Sequence, residues 1–192
     1  LVQKGYKVAI AEQMEDPKLA KGLVRREVIR VVTPGTLTSS QALDETKNNF
    51  LMGIVYMGDC FGIASCDIST GDFFVTEVKS QRELFDELAH FNPSEIVCNN
   101  AFYVSGIDMD ELKNRCQAYL SPLDARFFSD DACRNILKEH YRVASLDGLG
   151  LGEYQTGIIA AGAVMQYMYE TQKSDLSHIT TIKPYSTGQF MI

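Results

Sequence analysis

Residues 50–78 read Phe50-Leu-Met-Gly-Ile-Val-Tyr-Met-Gly-Asp-Cys-Phe-Gly-Ile-Ala-Ser-Cys-Asp-Ile-Ser-Thr-Gly-Asp-Phe-Phe-Val-Thr-Glu-Val78, and this stretch decides the fold. Residues 50–57 are a continuous apolar run, as expected of a strand buried on both faces. Gly58-Asp59 is a two-residue hairpin signal, residues 61–68 return, and Ser69-Thr70-Gly71-Asp72 is a second tight turn. Residues 73–78 then complete a three-stranded antiparallel meander. Downstream, Ser80 and Glu83 form a capping box, and Leu84, Phe85, Leu88 and Phe91 mark one face of a helix. Asn92-Pro93 ends that helix, and residues 95–98 form a short strand. A strand reached through a helical crossover pairs in parallel. Asp108 with Glu111 caps a second helix, and Ser129-Asp130-Asp131 opens a third running to about Tyr141.

The order β-β-β-α-β-α, three antiparallel strands and then a parallel one, is that of an α/β ribonuclease-H-like fold. Nucleases of this fold hold two divalent ions about 4 Å apart on clustered carboxylates. They place an Asp in the middle of the first strand and another at the end of the fourth. Residues 50–57 contain no acid, and the fourth strand ends in Asn99-Asn100. Asp67 is better read as a turn anchor that accepts the N–H groups of Ser69 and Thr70. The fold is expected without its active site.

Working outward, residues 6–13 alternate as a strand, entered from a short helix closed by Gly5. Asp16-Pro17 starts a short helix that Gly22 ends, and residues 25–33 form a β-branched strand stopped by Pro34-Gly35. Residues 36–48 are polar and aperiodic, a linker. Gly148, Gly150 and Gly152 read as a hinge leading to a helix over residues 153–173, whose centre is rich in small residues. Nothing in the sequence tells what that helix packs against, and it reads as the opening of a further domain. Three segments result: 1–35, 36–146 and 147–192.

The chain has 192 residues, 45% hydrophobic and 22% charged, a globular mixture. No window approaches a membrane span, and no signal peptide is visible. The first residue is Leu, and the chain reads as a piece of a longer one. Its net charge of −7 divides unevenly: +3 over residues 1–33, −8 over 34–146 and −2 over 147–192. An acidic body of that size repels a phosphate backbone, so only the first segment suits nucleic acid. Five scattered cysteines without a C-x-x-C pair read as reduced, buried hydrophobes of a cytoplasmic protein, with no metal site.

Other chemistry is thin. His90, His140 and His178 lie far apart, and no phosphate-binding glycine loop is present. Arg25, Arg26 and Arg30, with Lys18 and Lys21, read equally as DNA-phosphate contacts or as a solvated face.

Three stretches carry a family resemblance. They are Gly5-Tyr-Lys-Val-Ala-Ile-Ala-Glu-Gln13, Glu15-Asp-Pro17 and Lys21-Gly-Leu-Val-Arg-Arg-Glu-Val-Ile-Arg-Val-Val-Thr-Pro-Gly-Thr36. Together they resemble the MutS family of DNA mismatch-repair proteins, where the mismatch-recognition domain closes and the connector domain begins. Asp67-Ile-Ser-Thr-Gly-Asp-Phe73 is similar to a connector motif, and residues 154–173 resemble the first helix of the core or lever domain.

The resemblance implies a ribonuclease-H-like connector without nuclease activity, flanked by partial domains. It couples mismatch recognition to the ATPase and lever domains and offers a surface to MutL. It places the Phe-x-Glu mismatch reader upstream of Leu1 and the P-loop ATPase far downstream. No catalytic, cofactor or metal residue is therefore expected here, and ATP and Mg²⁺ belong to the full-length protein. Mismatched duplex DNA is a partner of the whole protein, and homo-oligomers form through other domains. The rival readings are a divergent ribonuclease-H-like nuclease and an interaction domain of a MutS paralogue.

Overall fold

The hairpin pattern of residues 50–78 forms as read. The computed structural model describes residues 1–37 and 48–187, so most of the expected linker lies outside the described residues. Strands β3 (Phe50–Met57), β4 (Cys60–Asp67) and β5 (Phe73–Val78) pair antiparallel in sequence, and Asp59 takes a left-handed conformation at the first turn. Helix α1 (Gln81–Phe91) follows, with the Ser80 hydroxyl accepting the Glu83 N–H at 3.1 Å. The chain then crosses over to β6 (Glu95–Cys98), parallel to β3. These elements confirm the α/β meander-and-crossover order.

Further elements complete the fold: the helices expected from Asp108, from Ser129 and over 153–173 all form, and two short edge strands and one helical turn join them without a signal in the sequence. After the single turn of α2 (Asn100–Tyr103) and α3 (Met109–Arg115), β7 (Tyr119–Pro122) pairs parallel to β6. Helices α4 (Asp130–Tyr141) and α5 (Gln155–Gln172) follow, and β8 (Lys183–Pro184) pairs parallel to β5. The six-stranded order is β7-β6-β3-β4-β5-β8. Both outer strands are short and carry a proline, Pro122 and Pro184. Proline is tolerated at sheet edges, where no ladder N–H is needed.

Alternation along β3 divides the core into two layers. Met52 and Ile54 face α1–α3 with Ile63, Leu84, Leu88 and Phe102. Leu51 and Val55 face the other layer with Ala64, Val75, Leu137 and the body of α5. Helix α5 thus corrects the expectation of a third segment over 147–192. It lies across β3 and β4 and is buried nearly all round, from Gly157 to Gln172. Its small residues serve approach to a sheet, because a helix apolar on every side belongs in an interior. The glycine run before it is a tight turn rather than a hinge: Leu146 and Leu151 are buried, and Gly150 is left-handed.

The amino-terminal segment forms a separate two-stranded antiparallel ribbon, β1 (Val8–Gln13) and β2 (Arg26–Val32). The short helix expected from Asp16 to Gly22 is only a turn, with the Leu19 and Ala20 N–H groups on the Asp16 carbonyl. Leu19 is 81% exposed, so no packing offsets the cost of nucleating one helical turn.

The sheet interior holds one imperfection. The Ser65 hydroxyl is buried without a hydrogen-bond partner among the described residues. Removing a buried, unsatisfied polar group relieves its desolvation penalty. Ser65→Ala is therefore expected to raise stability by up to about 1 kcal/mol, read as a higher denaturation midpoint at unchanged slope.

Candidate interdomain junction and nucleic-acid face

The three candidate arginines do not converge. Arg25 and Arg26 stand in solvent at the start of β2, on the same loop side as the exposed Lys18 and Lys21. Arg30, four residues further along the ribbon, is half-buried, and its guanidinium donates to the Thr36 carbonyl at 3.4 Å. Burial lowers its pKa from the ordinary arginine value. The ribbon thus offers two solvated guanidinium groups at one end, while the third faces the turn that joins ribbon to sheet.

That turn is densely bonded. Residues 33–36 leave β2 in a reciprocal cap: the Thr33 N–H donates to the Thr36 hydroxyl at 2.8 Å, and the two hydroxyls lie 3.0 Å apart. The residues expected to begin a linker, Thr36 and Leu37, are buried. Beneath them lies Glu95, the first residue of β6 and fully inaccessible. Its Oε1 accepts the Thr33 hydroxyl at 2.6 Å and the Gly35 N–H at 3.0 Å. Its Oε2 accepts the Tyr167 hydroxyl at 2.6 Å and the Ser121 hydroxyl at 3.0 Å. A Cβ on Gly35 would come within 2.9 Å of the Glu95 Cβ, so only glycine lets the turn lie this close.

Sequence reasoning missed Glu95. The available signal was a lone acid opening a short apolar strand. Its donors stand 26 to 72 residues away, so pattern alone does not name them.

A second buried cluster supports the turn from behind. The Asn49 amide donates to the carbonyls of Pro34 at 3.0 Å and Leu37 at 3.3 Å, and its oxygen accepts the Ser94 hydroxyl. The Asn49 N–H goes to Asp67 at 3.1 Å. Asp67 also accepts the N–H groups of Ser69 at 2.9 Å and Thr70 at 3.4 Å, the turn-anchor role expected of it. At the end of β6, Asn99 pairs both its amide atoms with the Tyr56 backbone at 3.1 Å, so it extends the sheet where a nuclease carries an acid.

Other polar groups pair within the fold. Glu77 on β5 accepts the Thr156 and Gly157 N–H groups at 2.7 and 2.9 Å, capping α5 from the sheet. His140 bridges the Tyr169 hydroxyl and the Ile179 carbonyl, both at 2.7 Å, and His178 meets the Ile68 carbonyl. All five cysteines are free thiols, and all but Cys60 are buried. Burial pushes the thiols of Cys98 and Cys133 up to about 11 and about 12, which keeps them protonated and unreactive. Among the described residues no three His, Cys, Asp or Glu side chains gather as a metal site, and no helix is long and apolar enough to cross a membrane.

Two family models match the chain in succession. MutS domain I covers residues 1–41, and MutS domain II covers residues 49–180. The second match runs through α5, in agreement with its place on the sheet. The chain is 53% identical over its whole length to the DNA mismatch repair protein MutS of Lachnoclostridium phytofermentans. It is 43% identical to the proteins of that name from Ruminiclostridium cellulolyticum and Acetivibrio thermocellus, again over its whole length. It spans 21% of the first relative and 22% of the other two. An arginine-bearing ribbon clamped by a buried turn to a mixed sheet is thus the pairing of domains I and II, and the chain belongs to the MutS family of DNA mismatch-repair proteins.

Proposed function

We infer that this stretch is a non-catalytic coupling unit: the sheet is a connector that carries the position of the DNA-facing ribbon to the rest of a mismatch-repair protein. The observation that carries this reading is the junction itself. Strand β2, with its solvated Arg25 and Arg26, leads into a turn that is buried against the sheet domain and bonded to Glu95. A rigid joint transmits displacement, whereas a flexible tether loses it.

In this reading Arg25 and Arg26 contact the phosphate backbone and Arg30 braces the junction. ATP and Mg²⁺ act in the full-length protein away from these residues. Mismatched duplex DNA is engaged by the whole protein, the acidic sheet domain offers a surface to MutL, and homo-oligomers assemble through other domains. Five unpaired cysteines fit a cytoplasmic, reducing setting.

Fluorescence anisotropy of the 192-residue chain with matched and mismatched duplexes tests the assignment. Weak binding without mismatch preference is expected, fading as salt rises to physiological strength. The double variant Arg25→Ala/Arg26→Ala should lower the salt slope by about 2, roughly one for each phosphate contact removed. Tight, mismatch-selective binding, or a slope indifferent to both arginines, would refute it.

A further inference from the structure

The donors around Glu95 divide by domain. Oε1 takes only donors of the exit turn, Thr33 and Gly35, and Oε2 takes only donors of the sheet domain, Tyr167 on α5 and Ser121 on β7. None of these donors is a cation, and the ion pairs between described side chains do not include Glu95. A buried carboxylate held by neutral donors is tolerated only while those donors stay in place. If the turn moves off the sheet, Oε1 loses both partners at once. Water must then enter to replace them.

Tyr167 makes the joint directional. Its hydroxyl and that of Ser121 hold Oε2, which fixes the carboxylate plane and aims Oε1 at the turn. Tyr167 belongs to the helix that spans β3 and β4, and the Lys7 ammonium of β1's approach lies 5.5 Å from its ring centre. The same ring thus faces the ribbon and the latch.

We propose that Glu95 is an interdomain latch, a positioning residue that couples the seating of the residue 33–36 turn to the seating of α5 through one buried anion. The use of such coupling rests on the connector reading above, but the latch itself stands on geometry within this chain.

Hydrogen exchange by mass spectrometry on the full chain tests it, with Thr33→Val, Tyr167→Phe and Glu95→Gln. Thr33→Val and Glu95→Gln should speed exchange over residues 31–37 by about tenfold or more, the loss of one charge-assisted bond. Tyr167→Phe should speed the same segment by about threefold, although its bond is to the other oxygen. The Thr33→Val/Tyr167→Phe pair should give less than the product of the two single effects, because both act through one carboxylate. Exchange in β3 and β4 should stay at the parent rate.

Unchanged exchange at 31–37 in Thr33→Val and Tyr167→Phe would overturn the latch, as would equal acceleration throughout β3 and β4. If Glu95→Gln does not fold, the two hydroxyl deletions carry the test alone. Failure of the DNA assay would remove the connector reading and leave the exchange result standing. Failure of the exchange test would remove the latch and leave the connector in place.

Discussion

Gly62→Ala is expected to cost about 3 kcal/mol of folding stability, the upper range for forcing one carbon into a packed interior. Gly62 sits on β4 where the first turn of α5 crosses it. An added Cβ would stand 2.3 Å from the Thr156 carbonyl oxygen and 2.5 Å from its carbon. These are backbone atoms, so no change of rotamer relieves the contact. The helix must lift, and lifting pulls the Thr156 and Gly157 N–H groups off Glu77. Gly148→Ala is the control: nothing lies within 4 Å of its added carbon, and little change is expected. Urea denaturation of both variants checks the pair. Equal stability of Gly62→Ala and the parent would mean that α5 is not seated on the sheet.

Asp67→Ala is the second large effect, and it also discriminates function. Asp67 is 2% exposed, and its carboxylate satisfies the N–H groups of Asn49, Ser69 and Thr70. Alanine leaves these donors without their acceptor, the Asn49 N–H inside the fold and those of Ser69 and Thr70 at an exposed turn, at a combined cost of about 3 kcal/mol. For a chain of this size that is roughly 10 °C in Tm. Asp67→Asn should fall between, since one amide oxygen remains to accept. Under the nuclease reading Asp67 is a metal ligand, and its loss would abolish Mg²⁺-dependent cleavage of duplex or hybrid substrates. The expected result is a lower Tm and no cleavage by either protein.

Both effects turn on where sequence reading succeeds and stops. The Asp67 anchor was readable because its turn partners lie two and three residues away, within the reach of a local motif. The meander was readable for the same reason: tight turns pair neighbouring strands, and apolar runs show that both faces are buried. The helix after Ser80 announced itself by its cap and its stripe.

The helix over 155–172 was visible as a helix, but its partner was not. Its position on β3 and β4 depends on Gly53 and Gly62, about a hundred residues earlier, whose missing side chains make room. The excess of apolar residues on every face did signal deep burial. The short strands β7 and β8 gave no usable signal, because two to four residues have no resolvable period. The Asp16–Gly22 helix failed in the opposite sense, since a good cap and a proline do not replace a surface to pack on.

Sequence by itself determined the α/β class, the meander and its crossover strand, the anchoring role of Asp67 and, through the opening motif, the family. These rest on interactions within a few residues or on the strict period of buried faces. Tertiary structure alone decided the place of α5 on the sheet, the closure of both sheet edges, the separation of Arg30 from Arg25 and Arg26, and the gathering of four donors on Glu95. Those choices join residues tens of positions apart. Which distant groups meet is set by the fit of whole surfaces, and by the rule that a buried charge must find its donors wherever the fold brings them.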